Sequence, residues 1–172
     1  MSTNVVSVQA ISSVASLQAA LQSGRTSFPV LNTQDKLIGV INSRFIARLI
    51  EKGCWSSGAD NLTPYDAESS HVYQSWDSQT NKLQWLDLQL SSDPQVDIKA
   101  LCAANADKMI DLTPYMVEKP MSVHTTDEMT KVLGLFRHMQ LKMLPVLDSH
   151  LSKAHVAGVI TRYDLLKYSY QW

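Results

Sequence analysis

One order of apolar and polar positions occurs twice along the chain, and each occurrence predicts strand, helix, strand, strand, helix. In the first copy, an apolar segment at Val5–Val8 predicts a strand, and Ser12 or Ser13 stands at the expected N-cap of a helix. Gly24 stands where that helix ends. The apolar face of the helix consists of Val14, Leu17 and Leu21.

The first copy continues with two short apolar runs that predict paired strands, Phe28–Leu31 and Leu37–Ile41. The polar stretch "NTQDK" between them predicts a turn. A helix follows and ends at Gly53. Its apolar positions are Phe45, Ile46, Leu49 and Ile50.

The second copy begins with a strand-like segment around Met121–His124. Thr125 stands three residues before Glu128, which is the spacing of a capping box and predicts a helix start. Apolar residues then recur at steps of three and four, which predicts one buried helix face. These residues are Met129, Val132, Leu133, Phe136 and Met139.

Two buried strands, Leu144–Leu147 and Val156–Ile160, follow in the second copy, with "DSHLSKAH" predicted as the turn between them. Thr161 is a plausible N-cap for a last helix that carries Leu165 and Leu166.

Pro29 and Pro145 occupy matching places in the two copies, 116 residues apart. Each lacks a backbone donor, so we expect each at the start of a strand.

The duplication predicts an α/β (α+β) fold in which two β-α-β-β-α repeats pack with pseudo-two-fold symmetry. One unit of about 55 residues buries too little surface alone, so the two are expected to share a core and leave clefts between them. The predicted divisions are residues 1–53 for the first repeat, 54–108 for an irregular insert and 109–172 for the second repeat.

The insert has a different composition and is expected to be partly disordered. "CWSSGADNLTPYDAESSH" is polar and predicts a loop, and "DIKALCAANADKMI" predicts a short helix. "VYQSWDSQTNKLQWLDLQL" predicts a hairpin with Trp76 and Trp85 on opposite arms. These tryptophans either cover apolar surface of the module or form a docking surface for another domain.

Composition narrows the functional classes. The net charge is −1, so no basic face for nucleic acid is expected. The apolar runs are far shorter than the roughly 20 residues of a membrane helix, and the start lacks a signal-peptide pattern. Cys54 and Cys102 are interpreted as reduced thiols, with a disulfide between them as the alternative.

The sequence contains no recognisable motif for catalysis or for metal binding. The five histidines show no metal-ligand spacing with cysteines or acids, so no metal is expected. No Walker loop, dinucleotide fingerprint or Ser/His/Asp motif occurs. We therefore expect a protein that is not an enzyme.

The two "(F/L)PVL…GVI(T/N)" strings, with this order of elements, resemble a tandem CBS-domain pair, also called a Bateman module. The resemblance spans both repeats, about 115 of the 172 residues, and leaves the insert uncovered. "DLTPYM" at 111–116, "LFR" at 135–137 and Gly158–Leu166 look like the second CBS repeat in the cytoplasmic tail of eukaryotic CLC chloride channels and chloride/proton exchangers.

This resemblance implies a regulatory module of ion transport, in a voltage-gated chloride channel or an exchanger, on the cytoplasmic side of a membrane. The implied partners are the transmembrane domain of the same polypeptide and a second copy in a homodimer, with no direct insertion of these residues into the membrane. A dimerisation or trafficking platform without nucleotide, and the regulatory pair of a soluble enzyme, are the alternatives.

The resemblance also implies an adenine-nucleotide site for ATP, ADP or AMP. The aspartate of the CBS motif "GxxTxxDL" is Asp164, which by resemblance takes the ribose. A carboxylate has acceptor sites for both hydroxyls of a ribose. Its spacing from Thr161 equally suits a helix cap, and the two roles are compatible. Phe45 replaces it in the first repeat, so one competent cleft is expected.

By the same resemblance, the other wall of the cleft comes from the first repeat. Arg25 stands where some relatives have an aromatic residue, and a guanidinium stacks on a base. Ser7, Thr26 and Ser27 are candidates for the adenine edge and the ribose. Tyr163 replaces a lysine common in the family. Arg162 or Arg44 is a candidate for the phosphate, with solvent exposure as the alternative.

Overall fold

The computed structural model describes residues 5–55, 97–148 and 155–169. The first repeat comprises β1 (Val8–Gln9), β2 (Ile11–Ser13), α1 (Val14–Gln22), β3 (Ser27–Leu31), β4 (Leu37–Asn42) and α2 (Ser43–Glu51). It is followed by α3 (Ile98–Ala104), β5 (Met109–Asp111), a 3₁₀ turn (Thr113–Tyr115) and β6 (Val117–Glu118). The second repeat comprises β7 (Val123–His124), α4 (Met129–Met139), β8 (Met143–Leu147), β9 (Val156–Thr161) and α5 (Arg162–Ser169). The predicted α/β class and the duplicated order are confirmed.

The two repeats match down to the register of their sheets. In each, a parallel strand precedes an antiparallel hairpin: β1 pairs with β3 and β3 with β4, and β7 pairs with β8 and β8 with β9. Val30 lies opposite Gly39, and Val146 opposite Gly158. The strand pairing shifts register directly after Val30 in the first hairpin and directly after Val146 in the second. The two repeats therefore share this irregularity in their strand pairing.

The prediction that each proline begins its strand is wrong. Pro29 is the third residue of β3, and Pro145 is the third residue of β8. Pairing with the parallel neighbour starts one residue later, at Val30 and at Val146. Each proline nitrogen therefore lies just beyond the end of the short parallel strand, which is why the missing N–H is tolerated inside the strand.

The segment that leads into the second repeat lies along the first. β6 pairs with β4 and completes a four-stranded sheet in the order β1-β3-β4-β6, while β5 pairs with β2. The predicted sequence division at residue 109 stays a prediction. In space, residues 109–118 complete the first repeat.

This strand addition depends on a glycine. Gly39 pairs with Glu118, and a Cβ at Gly39 would lie 2.8 Å from Cγ of Met116 and 3.1 Å from the carbonyl oxygen of Val117. Only a residue without a side chain lets the two strands approach so closely.

The described residues form two separate apolar cores rather than the shared core expected from the duplication. The helix predicted in "DIKALCAANADKMI" is confirmed as α3, which places buried Cys102 against the first core. The largest fully buried side chains of the first core are Leu17, Phe28, Ile41, Ile46, Leu49, Ile50, Ile110 and Leu112. The second core contains Val123, Val132, Phe136, Leu144, Val146 and Ile160.

The predicted helix starts have mixed outcomes. Ser13 caps α1 by accepting a hydrogen bond from the Ser16 N–H at 3.2 Å, as predicted. The capping box of Thr125 and Glu128 is wrong, because α4 begins only at Met129 and its N-cap residue, Glu128, makes no side-chain cap bond. The stretch before it is a turn that Asp127 closes, with its Oδ2 accepting from the His124 N–H at 2.7 Å.

Two apolar positions are more exposed than the periodicity suggested. Met139 is 52% exposed, because α4 ends one turn after its last buried residue, Phe136. Leu166 is 55% exposed, and Leu165 packs against the second core.

The predicted loop after Cys54 and Trp55, the hairpin with Trp76 and Trp85, and most of the turn after Leu147 lie outside the described residues. Cys54 and Cys102 do not form a disulfide. Burial raises the pKa of both thiols, and nearby Lys52 partly offsets this for Cys54. In the described ranges, no helix is long and apolar enough to cross a bilayer.

Candidate ligand-binding cleft

A cleft of about 490 Å³ opens between the two repeats. It lies at the open end of both hairpins, opposite the turns. This end is formed by the paired residues Ser27 and Asn42 in one repeat and by Met143 and Thr161 in the other. All four of these residues line it. The duplication thus brings two equivalent strand ends, and the helices that follow them, to one cavity.

The wall from the first repeat joins the start of β3 to the start of α2. Arg25, Thr26 and Ser27 line the cleft, as does Arg44. Asn42 caps α2 by accepting from the Arg44 N–H at 2.9 Å. The Ser43 N–H donates to the Thr26 carbonyl oxygen at 3.0 Å, which ties the helix start to the strand start.

The wall from the second repeat is built in the equivalent way, from Lys142 and Met143 and from the residues Thr161–Tyr163. The Arg162 guanidinium donates to the carbonyl oxygens of Leu141 and Gln140, each at 2.7 Å. It therefore ties the start of α5 to the end of α4. Tyr163 lines the cleft and is 66% exposed.

Asp164 completes the cap of α5. Its Oδ2 accepts from the Thr161 N–H at 2.9 Å and from the Thr161 hydroxyl at 2.8 Å, while the Asp164 N–H points back to Thr161 Oγ1 at 3.4 Å. This reciprocal arrangement is a capping box, so the structural role predicted for this spacing is present. Asp164 is partly buried and is not among the described residues that line the cleft.

The equivalent position in the first repeat is apolar. Phe45 is half-buried and packs against the first core, whereas Asn42 retains the helix cap. A phenyl ring cannot accept a hydrogen bond from a ribose. That only the second repeat supplies an acceptor for ribose therefore remains the expectation, and it stays a prediction.

The residues predicted for the site divide into two groups. Six line the cleft: Arg25, Thr26, Ser27, Arg44, Arg162 and Tyr163. Ser7 and Asp164 do not, and Ser7 is exposed beside Val6, which does.

Lys142 was not identified from the sequence. It stands three residues before Pro145, as Thr26 stands three residues before Pro29, so alignment of the two repeats would have found it.

The charge of the cleft is strongly one-sided. Its described lining includes Arg25, Arg44, Lys142 and Arg162 but no Asp or Glu. Within residues 5–55, 97–148 and 155–169, no three His, Cys, Asp or Glu side chains come together as a metal site. The cleft therefore suits an anion rather than a cation.

Comparison with known families agrees with this architecture. Residues 111–171 match the CBS domain. The chain folds as a CBS pair. This conclusion rests on that match and on the solved structures that it resembles, which confirm the predicted tandem arrangement.

Among curated proteins, a 59-residue segment of this chain is 41% identical to Chloride channel protein C of Dictyostelium discoideum. The matched segment is 34% of this chain and only 7% of that relative.

Among solved structures, CBSX2 of Arabidopsis thaliana in complex with AMP superposes with a TM-score of 0.54 at 18% identity, over 98% of this chain and 90% of that one. The CBS domain pair of protein MJ0100, in complex with 5′-methylthioadenosine and S-adenosyl-L-methionine, gives a TM-score of 0.54 at 13% identity, over 99% and 92%. At these identities the likeness shows the fold alone.

Proposed function

We propose that this CBS pair is a non-catalytic regulatory module of a CLC-type chloride channel or chloride/proton exchanger. The supporting observations are the 41% identity over 59 residues to Chloride channel protein C and the resemblance of the "DLTPYM" segment to CLC tails. This segment packs against the first repeat, where Asp111 pairs with Ile11 and the Leu112 N–H donates to the Ala10 carbonyl oxygen at 2.8 Å. The module then lies on the cytoplasmic side of the membrane, beside the transmembrane domain of its own polypeptide, and pairs with a second copy.

The proposed ligand of the module is an adenine nucleotide in the cleft between the repeats. The observation that carries this proposal is the cavity of about 490 Å³ with walls from both halves, a size within the range of about 300–1,000 Å³ for small-molecule sites. CBSX2 was solved with AMP, and the MJ0100 pair with two adenosine compounds.

A ligand that contacts both walls stabilises one arrangement of the repeats over others. It shifts channel gating only by the difference between its affinities for the two states of the module. Regulation therefore requires that the cleft change shape when the membrane domain changes state.

Calorimetric titration of the chain with ATP, ADP and AMP tests the nucleotide site. Thr26→Trp places a large side chain in the cleft from an exposed position and should abolish the binding heat. Gln22→Trp, on the exposed end of α1 and outside the cleft lining, is the matched control and should bind like the wild type. Absence of heat with all three nucleotides contradicts the proposal.

The second candidate function is a dimerisation or trafficking platform without nucleotide. It is favoured by the engagement of Asp164 in the cap of α5. Sedimentation velocity separates the two, since the platform predicts a dimer whose stability no nucleotide changes, whereas the ligand-sensing module predicts a nucleotide-dependent shift.

A further inference from the structure

The basic residues of the cleft come from both repeats and converge on one cavity. Arg25 and Arg44 belong to the first repeat, and Lys142 and Arg162 to the second. The whole chain has a net charge of −1, so this local excess does not reflect overall composition. A concave site lined by one sign of charge concentrates its field on the ligand.

Two helix starts add to this positive field. α2 has nine residues and α5 has eight, and the first residues of both helices line the cleft. The aligned peptide dipoles at a helix start carry partial positive charge and favour phosphate, even where capping groups take the first N–H groups, as Thr26 and Asn42 do for Ser43 and Arg44. On α5 the Asp164 carboxylate offsets part of this charge, whereas the first turn of α2 has no acidic residue.

The carboxylate proposed to accept from ribose contributes less to the cleft than the basic side chains do. Asp164 Oδ2 is held by two hydrogen bonds from Thr161, and the residue is not among the described lining of the cleft. The four cationic side chains of the lining, Arg25, Arg44, Lys142 and Arg162, only donate hydrogen bonds, whereas the hydroxyl groups beside them both donate and accept. Such walls recognise the phosphates of a nucleotide more strongly than its sugar.

We propose that the cleft selects its nucleotide by the number of phosphates, binding a nucleoside triphosphate in preference to a monophosphate. This inference rests on the proposed function and specifies its ligand. Arg44 and Lys142, both exposed and on opposite walls, are the phosphate-binding cations. Arg162 is a positioning residue, since two of its nitrogens hold the turn at Gln140 and Leu141.

The test is calorimetry with ATP, AMP, adenosine and inorganic tripolyphosphate at low and high salt, without divalent cations that would neutralise the phosphates. We expect ATP to bind at least about tenfold more tightly than AMP, and its affinity to fall as salt screens the cleft. Tripolyphosphate should compete with ATP, more weakly because it lacks the base.

Arg44→Gln and Lys142→Gln should each weaken ATP binding by about two- to fivefold, the range expected for exposed charge pairs, and should change AMP binding less. Lys99→Gln, on an exposed position of α3 outside the cleft lining, is the charge-matched control and should leave both affinities unchanged.

The outcomes separate this inference from the proposed function. Equal affinity for ATP and AMP, without salt dependence, overturns selection by phosphate number but leaves a nucleotide site in place. Binding of tripolyphosphate at least as tightly as ATP overturns the choice of a nucleotide. No binding of any of the four compounds overturns both proposals.

Discussion

Asp164 and Thr161 hold each other at the start of α5: one carboxylate oxygen accepts from the Thr161 N–H at 2.9 Å and from its hydroxyl at 2.8 Å. Loss of a capping side chain typically costs about 0.5–2 kcal/mol. We expect Asp164→Ala and Thr161→Val each to lower the free energy of unfolding by about 1 kcal/mol, measured by urea denaturation.

Because both substitutions remove the same interaction, the double variant should cost clearly less than the sum of the two, by about 0.5 kcal/mol or more. Strict additivity would show that the residues act separately. Asp164→Asn keeps an acceptor oxygen and should recover much of the stability. Nucleotide titration of this variant then separates the cap from any contact of the carboxylate with ribose.

A second prediction concerns Gly39, where β6 joins the first sheet. Gly39→Ala places a Cβ against Met116 and 3.1 Å from the carbonyl oxygen of Val117. The methionine can rotate, but the carbonyl is part of the backbone of the paired strand region, so we expect destabilisation by about 1–3 kcal/mol.

Gly134→Ala is the matched control, because a Cβ at that position in α4 meets no atom within 4 Å. There the alanine should stabilise the protein by about 0.5–1 kcal/mol through helix propensity. Urea denaturation of both variants distinguishes the two effects. If Gly39→Ala is as stable as the wild type, the close approach of β6 is not required.

The repeats could be predicted from the sequence because the pattern of apolar and polar residues that indicates each hairpin lies within a short stretch of the chain. Runs such as Phe28–Leu31 and Leu144–Leu147 are apolar on both faces and are followed by polar residues and a second apolar run, which indicates a buried hairpin. The helix start was misplaced because the residues before Met129 form a turn, in which Asp127 accepts a hydrogen bond from the His124 N–H. Spacing alone does not show which of several nearby acceptors takes the bond.

The packing of residues 109–118 on the first repeat was not predictable in the same way. Strands of two or three residues, such as β5 and β6, carry too little periodicity to be recognised, and their partners lie far away in sequence. Likewise, Lys142 becomes a cleft residue only when the second hairpin meets the first. Site residues contributed across an interface are determined by packing rather than by local pattern.

A third prediction concerns Gln140, which ends α4 in the left-handed conformation, with φ 50° and ψ 36°. A glycine adopts this conformation without a Cβ penalty, so Gln140→Gly should stabilise the protein by about 0.5 kcal/mol after its larger unfolded-state entropy is counted. The bonds from Arg162 should persist, since Gln140 contributes only its backbone carbonyl to them.

Gln140→Val provides the opposite case, because a β-branched residue is strongly disfavoured at positive φ. We expect it to destabilise by at least about 1 kcal/mol. Thermal unfolding of the two variants checks the ranking glycine, glutamine, valine. If valine is tolerated as well as glutamine, the chain leaves α4 by a different conformation.

The last prediction concerns acid stability and depends on Asp127. The Lys131 ammonium hydrogen-bonds Oδ1 at 2.7 Å, and the His124 N–H donates to Oδ2 at 2.7 Å. The hydrogen bond from Lys131, followed by that from the His124 N–H, lowers the pKa of Asp127 below its ordinary range. A carboxyl with a lowered pKa in the folded state contributes stability above its unfolded pKa of about 3.9, and this contribution is lost as the pH falls through the folded pKa.

Asp127→Asn should therefore be less stable than the wild type at pH 7, and the difference should shrink as the pH falls below about 4. Urea denaturation at several pH values between 7 and 2.5 measures this. Lys131→Met is the matched control, because it removes the larger cause of the lowered pKa and keeps the carboxylate. It should move the loss of the Asp127 contribution to higher pH. A difference between wild type and Asp127→Asn that stays constant across this range would mean that the charge on Asp127 does not stabilise the turn before α4.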